Sequence, residues 1–370
     1  MKILTMVGTR PEIIRLSETI KLLDQHFDHR FVHSGQNLSP NMRDVFFNDL
    51  DLRQPDAQWE IDGSSLATII GSTMVNLERE LKNFKPDALV TLGDTNTALA
   101  GLIAKRFNVI TYHLEAGNRS FDENVPEEIN RKVVDHFSDF NLAYSQNAIQ
   151  NLLNEGLHPR RLMMCGSPMR QVLKQIENKI ENSTALRLLG LKENSYFLVS
   201  AHRQENVDNP IRLQKLFDSL VSVSQHFDQP IVISLHPRTK SILEKTGIKT
   251  PKEFIVHEPF GFVDFISLQK AAFCVLSDSG TISEEASILR FPAVTIRDSM
   301  ERPEALDTGA MIMCGLGEDD ILRAVTLARN SYGKSVCPAA YEVEDHAERV
   351  VKFIASTANR AHEWFGIRAR

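Results

Sequence analysis

Three features of the sequence predict an α/β protein built as two doubly wound domains facing a cleft. Short apolar, strand-like runs alternate with helical patterns almost throughout. Most of those runs end in a loop bearing carboxylates, guanidiniums or a histidine. At 370 residues with 42% hydrophobic content, the chain also outgrows one core, which seldom extends beyond about 250–300 residues.

The first series of strands is read at Ile3–Val7, Arg30–His33, Ala88–Leu92, Val109–His113, Phe140–Ala143 and Leu162–Cys165. Amphipathic segments such as Glu12–Leu23 and Asn96–Lys105 separate them. A second series begins after Gly190, at Tyr196–Ser200, Ile231–Leu235, Phe254–His257, Phe273–Ser277 and Ala293–Ile296. Gly166-Ser167-Pro168, followed by a polar helix from Met169 to about Ile180, reads as the connection between domains. Residues 1–167 are then an N-terminal Rossmann-like domain and 168–343 a second one. The last helix, Glu344 to about Thr357 within a tail of 344–370, is long enough to cross back onto the first. The halves share a βαβ style without obvious sequence identity, so the duplication is architectural.

Composition narrows the function. A formal charge of −6 with no block of like charge argues against a general nucleic-acid or membrane surface, while leaving room for a local basic pocket. Cys165, Cys274, Cys314 and Cys337 are far apart and form no CxxC pair, which reads as reduced, unbridged and cytosolic. The N-terminus enters a strand directly, with no signal-peptide pattern. No apolar stretch approaches the ~20 residues that span a bilayer. A soluble cytoplasmic protein is expected.

The chemistry sits in the loops. In Gly8-Thr9-Arg10-Pro11-Glu12, Gly8 supplies a turn, Pro11 suits a helix start, and the new helix offers free N–H groups to an anion. Arg10 adds a planar fork suited to phosphate, although a plain turn with a solvated arginine fits equally. Asp94 and Glu115 close two strands whose parallel pairing would bring both carboxylates to one edge. Each alone also reads as a cap or turn residue. Glu127, in the first turn of a helix beginning at Pro126, is four residues from Arg131 and shares its face. Alone, that pair reads as a surface salt bridge.

In the second half, His202 follows a strand and His236 closes the next, each suited to acid–base work or phosphate donation, or to capping and packing. Ser277-Asp278-Ser279-Gly280-Thr281 joins a strand to a helix with the small hydroxyl residues and free N–H groups of a diphosphate cradle. Glu284 and Glu285 follow at ribose-binding distance. Arg297-Asp298 and Glu301-Arg302-Pro303-Glu304 add charge to the same edge. No GxGxxG loop occurs, so tightly bound NAD is not expected, nor is any other cofactor. Scattered histidines and the lack of HExxH or DxD patterns argue against a metal.

Taken in order, GTRPE, GDT, EAG-x-R, PEE-x-NR, HR-x-E, DSG-x-x-x-EE and RD-x-x-ERPEA resemble the non-hydrolysing UDP-N-acetylglucosamine 2-epimerase family over essentially the full length. That resemblance implies a glycosyltransferase-B-like fold, a UDP-N-acetylhexosamine substrate and a homodimer. It implies a catalytic group of Asp94, Glu115, Glu127 and His202 with Arg131 in support. Arg10, Arg15, His236, Ser279, Gly280, Glu285 and Arg302 would contact the UDP-sugar, and Phe265 would pack on the uracil. There are departures. Arg15 stands where the family usually has Lys, Gln204 where a second Arg is common, and Thr281 where glycine is common. Gly35-Gln36-Asn37-Leu38-Ser39 replaces Gly-Gln-His-Arg-Glu, a stretch that in bacterial members helps bind an activating UDP-sugar, and the family's C-terminal Tyr-Gly-x-Gly is missing. The wording around Arg10 to Ser17 and Ala116 to Asp122 is similar to a branch acting on 6-deoxy sugars, which forms UDP-N-acetyl-L-fucosamine from its L-talo epimer for capsule or O-antigen.

The implied chemistry is self-consistent. The C2 proton of an N-acetylhexosamine has no adjacent carbonyl to acidify it. Departure of the anomeric UDP makes it acidic, leaving a 2-acetamidoglycal, and re-addition with protonation from the opposite face inverts C2. Such a scheme needs one acid, one base and cationic donors that retain UDP. Which of Asp94, Glu115 and Glu127 is acid and which base stays open. Two neighbouring activities also fit: a hydrolysing epimerase that frees the sugar, and a glycosyltransferase of the same fold.

Overall fold

The computed structural model describes residues 1–36, 40–235 and 237–367, the side chains of 40–44, 204, 237 and 238 excepted. The chain parts into two compact units. One comprises Met1–Gln175 with Glu342–Arg370, the other Ile176–Tyr341.

The first unit holds a seven-stranded, all-parallel sheet: β1 (Lys2–Val7), β2 (Asp28–His33), β3 (Ala57–Gln58), β4 (Ala88–Leu92), β5 (Ile110–Leu114), β6 (Phe140–Ala143) and β7 (Leu162–Met164). Its order is β3-β2-β1-β4-β5-β6-β7. The strand order therefore reverses between β1 and β4, which opens a crevice at their carboxyl ends. Helices cover both faces, so β4 and β5 are buried along their whole length; β4 is apolar but for Thr91, while β5 buries Thr111 and His113 among its apolar residues. On one face Leu4, Met6 and Leu89 pack with Leu77 and Leu81 of the helix Leu66–Phe84. The C-terminal helix His346–Trp364 packs on the same unit, where Tyr112 bonds Thr357 at 2.7 Å and Phe353 meets Phe140 edge-on.

The second unit repeats the plan with β8 (Phe197–Ser200), β9 (Ile231–Ser234), β10 (Phe254–His257), β11 (Cys274–Ser277), β12 (Ala293–Thr295) and β13 (Ile312–Met313). The order β10-β9-β8-β11-β12-β13 again reverses once, between β8 and β11. Its core joins Phe197, Val199, Leu276 and Val294 to Leu216, Leu220 and Val325 of the covering helices. Two doubly wound α/β units are thus in place, each with one switch point.

Some elements differ from expectation. Asn96–Lys105 is two helices, Asn96–Leu99 and Gly101–Arg106, with the break at Ala100. The polar helix from Met169 stops at Gln175 and a new one runs Glu177–Glu181, broken at Ile176. The last helix begins at His346 and reaches Trp364, seven residues past Thr357. The four cysteines are unbridged. Among the described residues no helix is long and apolar enough to cross a membrane.

Candidate active site

At the first switch point three loops meet, those after β1, β4 and β5. Gly8 ends β1 under tight constraint, since a Cβ there would lie 2.0 Å from Thr97 Oγ1 and 2.4 Å from Ser34 Oγ. Glu12 is buried in the first turn of the helix Arg10–His26. It accepts hydrogen bonds from Gly8 N (2.8 Å), Thr9 N (2.6 Å), Thr9 Oγ1 (2.9 Å) and, across the crevice, Thr95 Oγ1 (2.8 Å). Burial nevertheless dominates and pushes its carboxyl up to about 7. Arg10 is half-buried, 5.7 Å from the Phe46 ring centroid, and burial holds its guanidinium below the usual range. It makes no ion pair among the described residues.

Parallel pairing sets Leu92 opposite Leu114, and the following loops carry Asp94 and Glu115 on neighbouring strands. Glu115 adopts a left-handed φ of 64°, unusual for a residue with a Cβ. Its Oε2 lies 3.3 Å from Nε of the buried Arg15. Asp94 accepts from Arg131 Nε and Nη2 at 2.8 and 2.7 Å. Thr95, rather than Asp94, caps the helix that follows, accepting from Ala98 N.

The pairing expected on the helix Pro126–Phe137 needs correction. Arg131 engages Glu128, at 2.8 Å, rather than Glu127. Glu128 is fully buried and also accepts from Ser120 N, Ser120 Oγ and Phe121 N. Burial would raise its carboxyl, but these donors together hold it below the usual range. Glu127 is only half-buried, beside this network on the same first turn. Beneath lies a network in which Arg119 closes the EAG-x-R motif while His113, Asp135 and Glu155 carry no signal in the sequence. His113 bonds Asp135 at 2.9 Å, Asp135 pairs with Arg119 at 2.7 Å, and Arg119 reaches Glu155 at 2.7 Å.

The second switch point carries the other expected group. Buried Asp278, at the end of β11, accepts from the backbone N–H of His202 (3.1 Å) and Arg203 (3.0 Å) and from Asn206 Nδ2 (3.1 Å). The loops after β8 and β11 are thereby tied together, with the His202 side chain 44% exposed and its Nδ1 3.5 Å from Asp278. Ser279 and Thr281 share a hydroxyl contact of 3.0 Å at the start of the helix Ile282–Leu289. Gly280 has no room for a side chain, because a Cβ would meet Glu301 Oε1 at 2.5 Å and Arg302 Nη1 at 3.1 Å. Arg302 donates to the Gly280 carbonyl at 2.5 Å and faces buried Glu284 at 3.5 Å. Glu285, also buried, accepts from Gln269 at 2.7 Å. Phe265 lies four residues before Gln269 on the helix Phe262–Ala271, hence on the same side, and is half-buried. Arg297 is buried and directed to Glu301 at 2.6 Å. His236 and residues 37–39 lie outside the described residues. Among the described residues, no three His, Cys, Asp or Glu side chains gather as a metal-ligand set.

The structure therefore brings Arg10, Arg15, Asp94, Glu115, Glu127 and Arg131 to the carboxyl edge of one sheet. It brings His202, Ser279, Gly280, Glu285 and Arg302 to that of the other, with Phe265 on a covering helix nearby. Two Rossmann-like domains so equipped define a nucleotide-sugar enzyme of the glycosyltransferase-B type. The family model of UDP-N-acetylglucosamine 2-epimerases matches residues 21–355. A UDP-N-acetylglucosamine 2-epimerase of Methanocaldococcus jannaschii is 38% identical over 339 residues, 89% of this chain and 93% of its own. A UDP-2,3-diacetamido-2,3-dideoxy-D-glucuronate 2-epimerase of Pseudomonas aeruginosa is 34% identical over 341 residues, 91% and 94% of the two chains. The crystal structure of the M. jannaschii enzyme in complex with UDP-GlcNAc and UDP aligns with a TM-score of 0.90 at 35% identity, over 96% of this chain and all of that one. The chain belongs to the UDP-N-acetylglucosamine 2-epimerase family, and it is an isomerase.

Proposed function

We propose that this chain is a cofactor-independent, non-hydrolysing UDP-N-acetylhexosamine 2-epimerase that works by elimination and re-addition of UDP through a 2-acetamidoglycal. The observation carrying the reading is the pair Asp94 and Glu115 at adjacent strand ends, each set against an arginine. Two carboxylates fixed at neighbouring strand ends, each by its own arginine, supply the two proton-handling groups that an acid and a base require. Glu127 completes the set. Arg10, Arg15, His202, Ser279 and Gly280 retain the diphosphate, Glu285 and Arg302 shape its cradle, and Phe265 takes the uracil. The first unit supplies the proton chemistry and two arginines toward the diphosphate, and the second supplies the rest of the nucleotide grip. Incubation with candidate UDP-sugars in deuterated water tests this by proton NMR. Solvent deuterium should enter C2 with no added nucleotide, metal or acceptor. Release of free sugar would instead select a hydrolase, and silence without an acceptor a transferase.

The sugar is a separate question. A relative at 34% identity is named for a diacetamido-glucuronate, so likeness at this level spans different hexoses. UDP-GlcNAc/UDP-ManNAc interconversion and the 6-deoxy L-talo to L-fuco equivalent both fit, either of them a cytoplasmic step toward capsule or O-antigen precursors. We further propose a homodimer. Exposed Leu66 and Val75 on the helix Leu66–Phe84, and Ile129 and Val133 one turn apart on Pro126–Phe137, support such a contact. Light scattering after gel filtration should give twice the chain mass, reduced to one chain by I129E/V133E.

A further inference from the structure

Along β5, Tyr112 turns its hydroxyl to Thr357 of the C-terminal helix. By the two-residue alternation of a strand, His113 faces the other side, where Asp135 of the helix Pro126–Phe137 meets it. His113 Nε2 is 2.8 Å from the Gly93 carbonyl oxygen and Nδ1 is 2.9 Å from Asp135 Oδ1. A carbonyl has no proton to give. Asp135 is wholly buried, accepts from Gly117 N at 3.2 Å, and lies 2.7 Å from Arg119 Nη2. A guanidinium at that distance keeps the carboxyl ionised, so it too only accepts. Both ring nitrogens must then donate, which a neutral imidazole cannot do. The position of the bridge matters as much as its charge. Gly93 immediately precedes Asp94, and Gly117 lies two residues after Glu115.

We propose that His113 is a positioning residue, a buried imidazolium brace that fixes the spacing of the two loops carrying Asp94 and Glu115. The inference rests on the carboxylate roles given above. The charges around it are Asp135 and Arg131 on the helix Pro126–Phe137, Arg119 and Glu115 after β5, Asp94 after β4, and Glu155 through Arg119. Strand β6 adds only the neutral Asn141. Burial opposes the charge on His113. Asp135, Gly93 and Asn141 outweigh it, holding His113 above the ordinary histidine range and Asp135 below the ordinary carboxylate range. A raised histidine keeps its brace below and through its ordinary pKa, and loses it only as pH climbs through the higher folded value.

The test has two arms. In wild-type protein labelled with ¹⁵N-histidine, the His113 ring signals, assigned by their loss in His113→Asn, should show two protonated nitrogens at pH 7.5. A neutral tautomer there overturns the proposal; should His113→Asn not fold, the ring signal that survives substitution of each of the other histidines is that of His113. In the kinetic arm, His113→Asn and Asp135→Asn, checked by circular dichroism, should each lower kcat for C2 exchange at least about tenfold with KM nearly unchanged, as small misplacements of catalytic groups do. The double variant should be no worse than the worse single one, and Asp135→Asn should move the alkaline limb of kcat to lower pH. Undiminished kcat, or losses that multiply, overturns it. Exchange by the wild type reports separately on the epimerase reading.

Discussion

The two switch points share one topology and solve opposite electrostatic problems. In the first unit carboxylates face the crevice, and each is tied to a cation: Asp94 to Arg131, Glu115 to Arg15. In the second unit the buried acids turn away from the crevice to hold its wall. Asp278 gathers the backbone of His202 and Arg203, and Glu301 holds Arg203 and Arg297. What faces outward there is the exposed His202 ring beside two small residues, Ser279 and Gly280, with backbone N–H groups at a helix start. One edge holds carboxylates against cations, and the other presents donors to an anion.

The largest effects should separate these edges. Asp94→Asn and Glu115→Gln each remove a titrating group while keeping its shape. Each should cut C2 exchange by about 10²–10⁴-fold, with UDP affinity measured by calorimetry little changed. Gly280→Ala should do the reverse. The added methyl meets Glu301 and Arg302, and moving Arg302 disturbs the carbonyl of Gly280 that it holds and the helix start beside it. UDP should bind roughly tenfold more weakly or worse. Loss of UDP affinity in the carboxylate variants, or its retention in Gly280→Ala, would erase the division of labour.

A finer contrast lies within one helical turn. Glu128 is sealed under Ser120 and Phe121 and locked to Arg131, whereas Glu127 is half-buried beside it. Glu128→Gln weakens a buried charge network and should lower stability by about 2–3 kcal/mol in urea unfolding. Glu127→Gln should leave stability within about 0.5 kcal/mol while sharply reducing exchange. Equal stability losses in both variants would mean that Glu127 is structural.

Much of this was legible in the sequence. Nearly every long strand was bounded within a residue or two, because these buried parallel strands are rich in β-branched and apolar residues and stop at glycines or polar loops. The switch-point loops were legible for the same reason, since their motifs sit where those runs stop. Two-residue strands such as β3 and β13 were not, being too short to carry a period. Nor was the choice of Glu128 over Glu127 as the partner of Arg131, because spacings of three and four both fall on one helical face. His113 and Asp135 are 22 positions apart and each suits its own element, so only the fold reveals their pairing. Asp278 was read as one letter of a cradle, though its carboxylate instead organises the neighbouring loop.

The last contrast is confined to a pH window and concerns Glu12, where burial and hydrogen bonding pull in opposite directions. Four donors point at its carboxylate, yet burial holds it near 7 instead of 4.5. Between those values the folded chain keeps a proton that the unfolded chain has lost, so stability falls as pH rises through that interval. The full shift corresponds to about 3 kcal/mol above pH 7, or several degrees of melting temperature. Glu12→Gln keeps the shape, has nothing to titrate, and can donate to Thr95 while accepting from Gly8 and Thr9. Its melting temperature relative to wild type should therefore climb between pH 4.5 and 7 and level off beyond. A flat difference across that range would mean that the four donors win. Glu12 would then be ionised throughout, and its carboxylate would hold the β1 loop by charge as well as by hydrogen bonds.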